Sequence, residues 1–158
     1  MKKIKKLLIA LDQSEQPEVI VNYGNAIAER YNSDITFLHV LPSEMRYEVD
    51  AGSSVNEVDA GILPSPSSVK LAEAAYIESY RWLESIAQSS QNKNISTEIK
   101  VLVATDSVPV EILNYAEKSN IDLIVIGTKG RKGPERMLLG SVASYIIKHA
   151  QCPILVVK

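Results

Sequence analysis

The sequence is short of several features that would each point to a particular class of protein. It has a single cysteine in 158 residues, which excludes an intrachain disulfide and suits a reducing compartment. It has no basic excess, because 17 Lys and Arg stand against 19 Asp and Glu, whereas a nucleic-acid-binding domain shows a strongly basic face. No apolar run approaches the roughly 20 residues that cross a bilayer, and the N-terminal apolar patch is too short for a signal peptide. We therefore expect a soluble, unexported, cytoplasmic protein that binds neither nucleic acid nor membrane.

Motifs of several enzyme classes are also missing. The chain contains no GxxxxGK[ST], GxGxxG, GxSxG, SGGxDS or HIGH, and no Ser-His-Asp arrangement can be argued. His39 lies inside a predicted strand and is predicted to be a satisfied core histidine whose side chain points away from the backbone contact of the next residue, Val40. His149 and Cys152 have the spacing of a metal pair but lack a second pair of ligands, so we interpret them as packing residues. We name no catalytic residue and no metal ligand.

What the sequence does contain is an alternation of apolar strands with amphipathic helices. The predicted strands span residues 4–11, 35–41, 95–104, 123–126 and 153–157. The first predicted helix has Pro17 in its first turn and ends near Asn32-Ser33, the next two span 69–90 and 107–119, and a fourth begins after Ser141. Such alternation implies right-handed crossovers and a parallel sheet with helices on both faces. At this length we predict a single domain, 1–158.

The spacing of apolar residues predicts which face each helix buries. Intervals of three and four predict these buried residues in the first helix: Ile20, Tyr23, Ile27 and Tyr31. The corresponding stripe in the second helix is Ala72, Tyr76, Tyr80, Leu83 and Ala87.

Residues 42–68 show no sustained period and are predicted to form a loop. The segment holds three prolines, two glycines and six serines, with five acidic residues against Arg46 alone. A connection of this length without secondary structure is uncommon in a compact domain. We interpret it as an acidic, mobile surface excursion, and two readings stay open: a lid over a site, or an insertion without a role.

The stretch that follows the fourth strand has the composition of an anion site. Gly127 and Gly130 are separated by two residues, nine more precede Gly140-Ser141, and the loop between them is basic. A buried strand, a Gly-rich loop and a helix start present backbone N–H groups and the positive end of a helix dipole. The spacing predicts an anion site, and the alternative is a solvated loop whose glycines only permit turns.

The same residues carry a resemblance to a known family. The pattern G-2x-G-9x-G-[ST], the flanking segments DLIVIG, LLGSVA and CPILVV, and the N-terminal LIALDQSE resemble the universal stress proteins of the UspA type. The resemblance covers essentially the whole chain and points to the ATP-binding branch. It implies a Rossmann-like, adenine nucleotide alpha hydrolase-like fold with strand order 3-2-1-4-5. It also implies ATP, with or without Mg²⁺ or Mn²⁺, and a homodimer formed through residues 153–157.

The resemblance further implies which residues contact the nucleotide. Asp12 would meet the ribose, and Val40 would meet adenine edge-on through its backbone. The triphosphate would lie along the glycine loop and accept hydrogen bonds from backbone N–H groups at the start of the last helix. The complete implied set is Leu11, Asp12, Val40, Ile126, Gly127, Gly130, Arg131, Gly140, Ser141 and Val142.

Three functions are open at this point. The first is an ATP-binding sensor or regulator in the stress response, with slow or no turnover, because nothing fixes a base or metal ligand at the phosphate end. The second is a weak ATPase or self-phosphorylating enzyme, with Ser141 or a loop serine as the acceptor. The third is a non-catalytic interaction module that binds another adenine nucleotide, such as AMP or a cyclic nucleotide.

Overall fold

The five apolar runs form one parallel sheet in the computed structural model, which describes residues 3–13, 16–45, 66–128 and 139–158. The strands are β1 Lys6–Ala10, β2 Asp34–Leu41, β3 Thr97–Val103, β4 Leu123–Gly127 and β5 Ile154–Val157. The helices are α1 Pro17–Tyr31, α2 Pro66–Gln91, α3 Val108–Lys118 and α4 Ser141–His149, with a short 3₁₀ turn at Ser43–Met45. The strand order is β3-β2-β1-β4-β5, which confirms the predicted order 3-2-1-4-5.

Helices cover both faces of the sheet and create two apolar layers. Odd-numbered residues of β1, such as Leu7 and Ile9, are buried with residues of α1 and α2, whereas Leu8 and Ala10 are buried with residues of α3 and α4. The separation follows from the two-residue period of a strand. Both layers are apolar, which explains why the central strands read as unbroken hydrophobic runs.

The buried faces of α1 and α2 agree only in part with the predicted ones. Ile20 in α1 and Ala72, Leu83 and Ala87 in α2 are buried as predicted, but Tyr23 is 55% exposed, and Tyr76 and Tyr80 are also exposed. The other buried residues include small ones at positions that the spacing did not predict: Gly24, Asn25 and Ala28 in α1, and Ser79 and Ser90 in α2. The reason is close packing, since a Cβ added at Gly24 would overlap the side chain of Ile9. Tyrosines, with a polar hydroxyl on an apolar ring, lie at the margins.

Helix α2 begins at Pro66, three residues before the predicted start at Val69. Proline suits a first helical turn because its missing N–H would have no partner there. The predicted loop 42–68 is therefore wrong at its ends, where residues 43–45 form a 3₁₀ turn and 66–68 belong to α2. The remainder of that loop, residues 46–65, lies outside the residues that the structure describes.

Charged side chains form contacts at two places on the sheet. The Asp122 carboxylate accepts hydrogen bonds from the backbone N–H groups of Lys5 and Lys6, at 2.9 and 3.1 Å, which holds β1 and β4 in register. On the edge strand β3, the ammonium of Lys100 lies 2.8 Å from the carboxylate of Glu98, and this hydrogen bond raises the pKa of Lys100. Charged side chains on an edge strand discourage pairing with another chain.

In the ranges described above, no helix is long and apolar enough to cross a membrane.

Candidate functional site

A cavity of about 480 Å³ opens at the carboxyl ends of β1, β2 and β4. The chain runs outward from β1 to β2 and β3 on one side, then returns to place β4 and β5 on the other. The crossovers therefore leave the sheet in opposite directions at β1 and β4. This is the topological switch point, where parallel sheets bind ligands.

The structure brings most of the sequence-predicted site residues to this one cavity. Eight of them line it: Leu11, Asp12, Val40, Ile126, Gly127, Gly140, Ser141 and Val142. Gly130 and Arg131 lie outside the described residues, so their positions stay predictions. Residues separated by more than 100 positions in the chain thus share one crevice, as the resemblance implied.

One end of the cavity is the start of α4. The first intrahelical hydrogen bond runs from Ser144 N–H to the Gly140 carbonyl at 2.9 Å. Because an α-helix leaves its first N–H groups without helical partners, those of Ser141 and Val142 are available to a ligand. Within the part of the chain that the structure describes, no side chain caps this helix start. The Gly140 N–H is held by the Thr128 carbonyl at 2.7 Å, which fixes the backbone there. N–H donors and the helix dipole together favour an anion.

The opposite end of the cavity is the backbone of β2. Two hydrogen bonds join β2 to the neighbouring chain around β1: Asp34 N–H donates to Lys5 O, and Leu11 N–H donates to Leu38 O. The even-numbered residues of β2 therefore direct their backbone N–H and C=O groups toward β1. The paired part of β1 ends at Ala10, opposite Leu38. The N–H and C=O of Val40 therefore face the space just beyond the end of β1, which is the cavity. A donor and an acceptor side by side can read the polar edge of a planar heterocycle.

The walls between these ends are mainly apolar. Leu11, Val40 and Ile126 lie at the strand ends, and Val108 and Ile112 of α3 complete one side. Half-buried Asp12, directly after β1, contributes a carboxylate, which accepts hydrogen bonds from donors such as hydroxyl groups. An apolar cavity with a few polar groups at defined places is typical of a small-molecule site.

Sequence reasoning missed part of the lining. Helix α2 contributes Ala75, Glu78 and Ser79, and the 3₁₀ turn contributes Met45. No sequence signal identifies them, because their approach to the cavity depends on how α2 packs across β2 and β3. Ser79 is only 2% exposed, so α2 lines the cavity with a buried polar side chain.

His39 also lines the cavity, although it was not among the predicted site residues. The prediction of a satisfied histidine holds, since Nδ1 lies 2.8 Å from the Leu11 carbonyl oxygen. The ring is half-buried and meets Trp82 of α2 edge-on, with centroids 5.5 Å apart and an interplanar angle of 79°. His39 is thus packed in place and adjacent to the ligand space.

The other histidine lies away from this cavity. His149 stacks on Tyr145 at the exposed end of α4, with ring centroids 4.3 Å apart. Within the ranges that the structure describes, no group of three or more His, Cys, Asp or Glu residues could hold a metal ion.

Comparison with known sequences finds relatives along the whole chain. The model of the universal stress protein family matches residues 3–158. Universal stress protein MJ0531 of Methanocaldococcus jannaschii is 33% identical over 156 residues, which cover 98% of this chain and 82% of that protein. Universal stress protein Sll1388 of Synechocystis sp. is 29% identical over 153 residues, covering 97% of each chain.

Solved structures share the fold. The universal stress protein UspA from Lactobacillus plantarum superposes with a TM-score of 0.77 at 21% identity, covering 100% of both chains. A universal stress protein from Archaeoglobus fulgidus in complex with dAMP has a TM-score of 0.62 at 21% identity, covering 99% of this chain and 100% of that one. A universal stress protein in complex with cAMP has a TM-score of 0.63 at 18% identity, covering 99% of each chain. The whole-length family match, together with the sheet order, shows that the chain belongs to the universal stress protein family.

Proposed function

We propose that this chain is a cytoplasmic, ATP-binding universal stress protein that acts as a nucleotide-dependent sensor or regulator in the stress response. The observation that carries the proposal is one cavity with two different polar ends. The backbone of Val40 offers a donor and an acceptor at one end, and the start of α4 offers anion-binding N–H groups at the other. Adenine and a phosphate chain are the two parts of a ligand that such ends would select.

Each part of ATP has a proposed partner. Adenine meets the Val40 backbone, and the ribose hydroxyls donate to Asp12. The phosphates lie along Gly127 and Gly130 toward Gly140–Val142, with Arg131 contributing charge. This assignment follows the G-2x-G-9x-G-[ST] pattern, with Mg²⁺ or Mn²⁺, where present, held by the phosphates. Leu11 and Ile126 supply the apolar contacts.

A second candidate is a non-catalytic module that binds a monophosphate. The specific observation in its favour is that the related structures named above hold dAMP and cAMP. Comparing ATP, AMP and cAMP in one titration separates the two candidates, because only a site that engages the outer phosphates prefers ATP.

A third candidate is a weak ATPase or self-phosphorylating enzyme. Among the described residues that line the cavity, the carboxylates are Asp12 and Glu78, and both lie on elements other than the one that forms the phosphate end. We therefore propose a binding protein rather than an enzyme. Incubation with γ-labelled ATP tests this: released or protein-bound label at a rate dependent on Ser141 would favour the enzyme.

We also propose that the protein forms a homodimer through β5. This strand pairs with β4 on one side, and it lies at the end of the sheet order. Its residues Ile154, Leu155 and Val156 are only half-buried. An apolar edge strand is protected when a second copy pairs with it. Light scattering at micromolar concentration should give twice the chain mass, and a monomer would count against the proposal.

The proposed ligand is tested by titration of the purified, nucleotide-free chain. Its single tryptophan, Trp82, contacts His39 at the cavity and provides a fluorescence signal. ATP should change this fluorescence and raise the melting temperature, and GTP should do so only at much higher concentration. An unchanged melting temperature at millimolar ATP would sink the proposal.

A further inference from the structure

The hydrogen-bond ladder between β1 and β2 ends at the cavity, just after the last paired residue of β1, Ala10. In this parallel pair, Asp34 N–H donates to Lys5 O at 2.8 Å, and Leu11 N–H donates to Leu38 O at 2.9 Å. Continuing the alternation, the next bond would run from Val40 N–H to Leu11 O. That bond is not formed among the residues that the structure describes. The Leu11 carbonyl accepts a hydrogen bond from His39 Nδ1 at 2.8 Å instead.

The direction of this hydrogen bond follows from its acceptor. A carbonyl oxygen has lone pairs and no hydrogen, so the proton lies on Nδ1 of His39. The imidazole is also held from the side by Trp82, whose ring meets it edge-on at 5.5 Å. Helix α2, which carries Trp82, thereby helps to fix the ring that engages the Leu11 carbonyl.

We propose that His39 is a positioning residue that keeps the Val40 backbone open for the base of the ligand. The imidazole holds the Leu11 carbonyl directed at its own Nδ1, so that this oxygen is not aligned with Val40 N–H to extend the ladder. The free N–H can then donate to N1 of adenine, while the Val40 carbonyl accepts from the 6-amino group. Guanine carries a donor at N1 and an acceptor at its 6-position, so both contacts would be repulsive. His39 would thus set base selectivity without touching the base, an inference that rests on the proposed nucleotide site.

Two variants and two ligands test this assignment. His39→Leu removes the donor at similar size, whereas His39→Asn keeps a side-chain N–H close to the place of Nδ1. ATP is compared with 1-deaza-ATP, which lacks the N1 acceptor. The wild-type chain should bind ATP about tenfold more tightly than 1-deaza-ATP, the worth of one hydrogen bond. His39→Leu should bind the two ligands equally, and His39→Asn should restore most of the preference.

A second readout needs no ligand. Amide hydrogen exchange at Val40 should be at least about tenfold slower in folded His39→Leu than in the wild-type chain, because the ladder can then close. This separates the inference from the proposed function. If the wild-type chain binds neither ligand, the nucleotide proposal fails, and exchange at Val40 still decides the role of His39.

Two results would overturn the role of His39. One is a folded His39→Leu variant that prefers ATP over 1-deaza-ATP as strongly as the wild-type chain does. The other is Val40 exchange that is equal in the two chains. If His39→Leu does not fold, ligand preference and Val40 exchange are measured on His39→Asn and His39→Ala instead. The Ala variant should lose the preference for ATP over 1-deaza-ATP, and the Asn variant should keep it.

Discussion

Replacing Gly140 by valine should remove nucleotide binding while leaving the fold intact. Gly140 has φ −71° and ψ 163°, an extended conformation that any L-residue adopts, so valine introduces no backbone strain. Its backbone hydrogen bonds to Thr128 O and from Ser144 N–H can persist. The branched side chain would project where Gly140 lines the cavity and hold the phosphates away from the helix start.

The size of the effect can be worked out from the donors lost. A hydrogen bond to a charged group contributes about 1.5–3 kcal/mol. Separation of the phosphates from the N–H groups of Ser141 and Val142 should therefore weaken ATP at least about 100-fold. Valine is a poorer residue than glycine just before a helix, at a cost of about 1 kcal/mol. In a chain of this size that lowers the melting temperature by about 2–4 °C.

Calorimetric titration with ATP and thermal unfolding measure the two effects separately. Ser144→Val is the matched control, because it introduces the same branched residue into α4 at an exposed position that does not line the cavity. It should bind ATP as the wild-type chain does. An ATP affinity in Gly140→Val within threefold of that control would refute the phosphate assignment.

Three further substitutions test the core, a buried hydrogen bond and the proposed ribose contact. Phe37→Ala, at the largest fully buried side chain among the described residues, should destabilise the protein by about 3–5 kcal/mol in urea unfolding, and a loss below 1 kcal/mol would contradict close packing around Phe37. Ser90→Ala removes the hydroxyl that donates to Asn25 Oδ1 at 2.6 Å, where both residues are 0% exposed, and should cost about 1–3 kcal/mol. The cost should shrink in an Asn25→Leu background if the two side chains act as a pair. Asp12→Ala should weaken ATP about tenfold by titration, with a smaller effect on 2′,3′-dideoxy-ATP, and equal effects would exclude the ribose contact.

The sheet was predictable because its signals are local and agree with one another. Runs such as Leu7–Leu11 and Leu123–Ile126 are apolar at consecutive positions and short, which is typical of a strand covered on both faces. The buried faces of the helices were less predictable. Spacing alone favoured Tyr23 and Tyr76, but close packing on the sheet buries Gly24 and leaves the tyrosines exposed, and no pattern in the sequence reports the distance between helix and sheet.

The cavity lining was predictable at the strand ends and the helix start, and less so where the lining depends on how a helix packs. Glycines at the end of β4 and before α4, together with Asp12 after β1, mark their positions in the sequence itself. The lining residues Ser79 and Glu78 depend on the course of α2, which only the three-dimensional arrangement reveals. His39 was not predicted as a site residue, yet it lines the cavity and its ring reaches the Leu11 carbonyl at the end of the neighbouring strand.

The crystal structure of the protein with ATP tests the proposed nucleotide site most directly. We expect adenine against the backbone N–H and C=O of Val40, the ribose at Asp12, and phosphate oxygens within hydrogen-bonding distance of the Ser141 and Val142 N–H groups. The Leu11 carbonyl should still be bonded to His39. ATP bound elsewhere on the chain, or no ATP in the cavity from crystals grown with millimolar nucleotide, would contradict it.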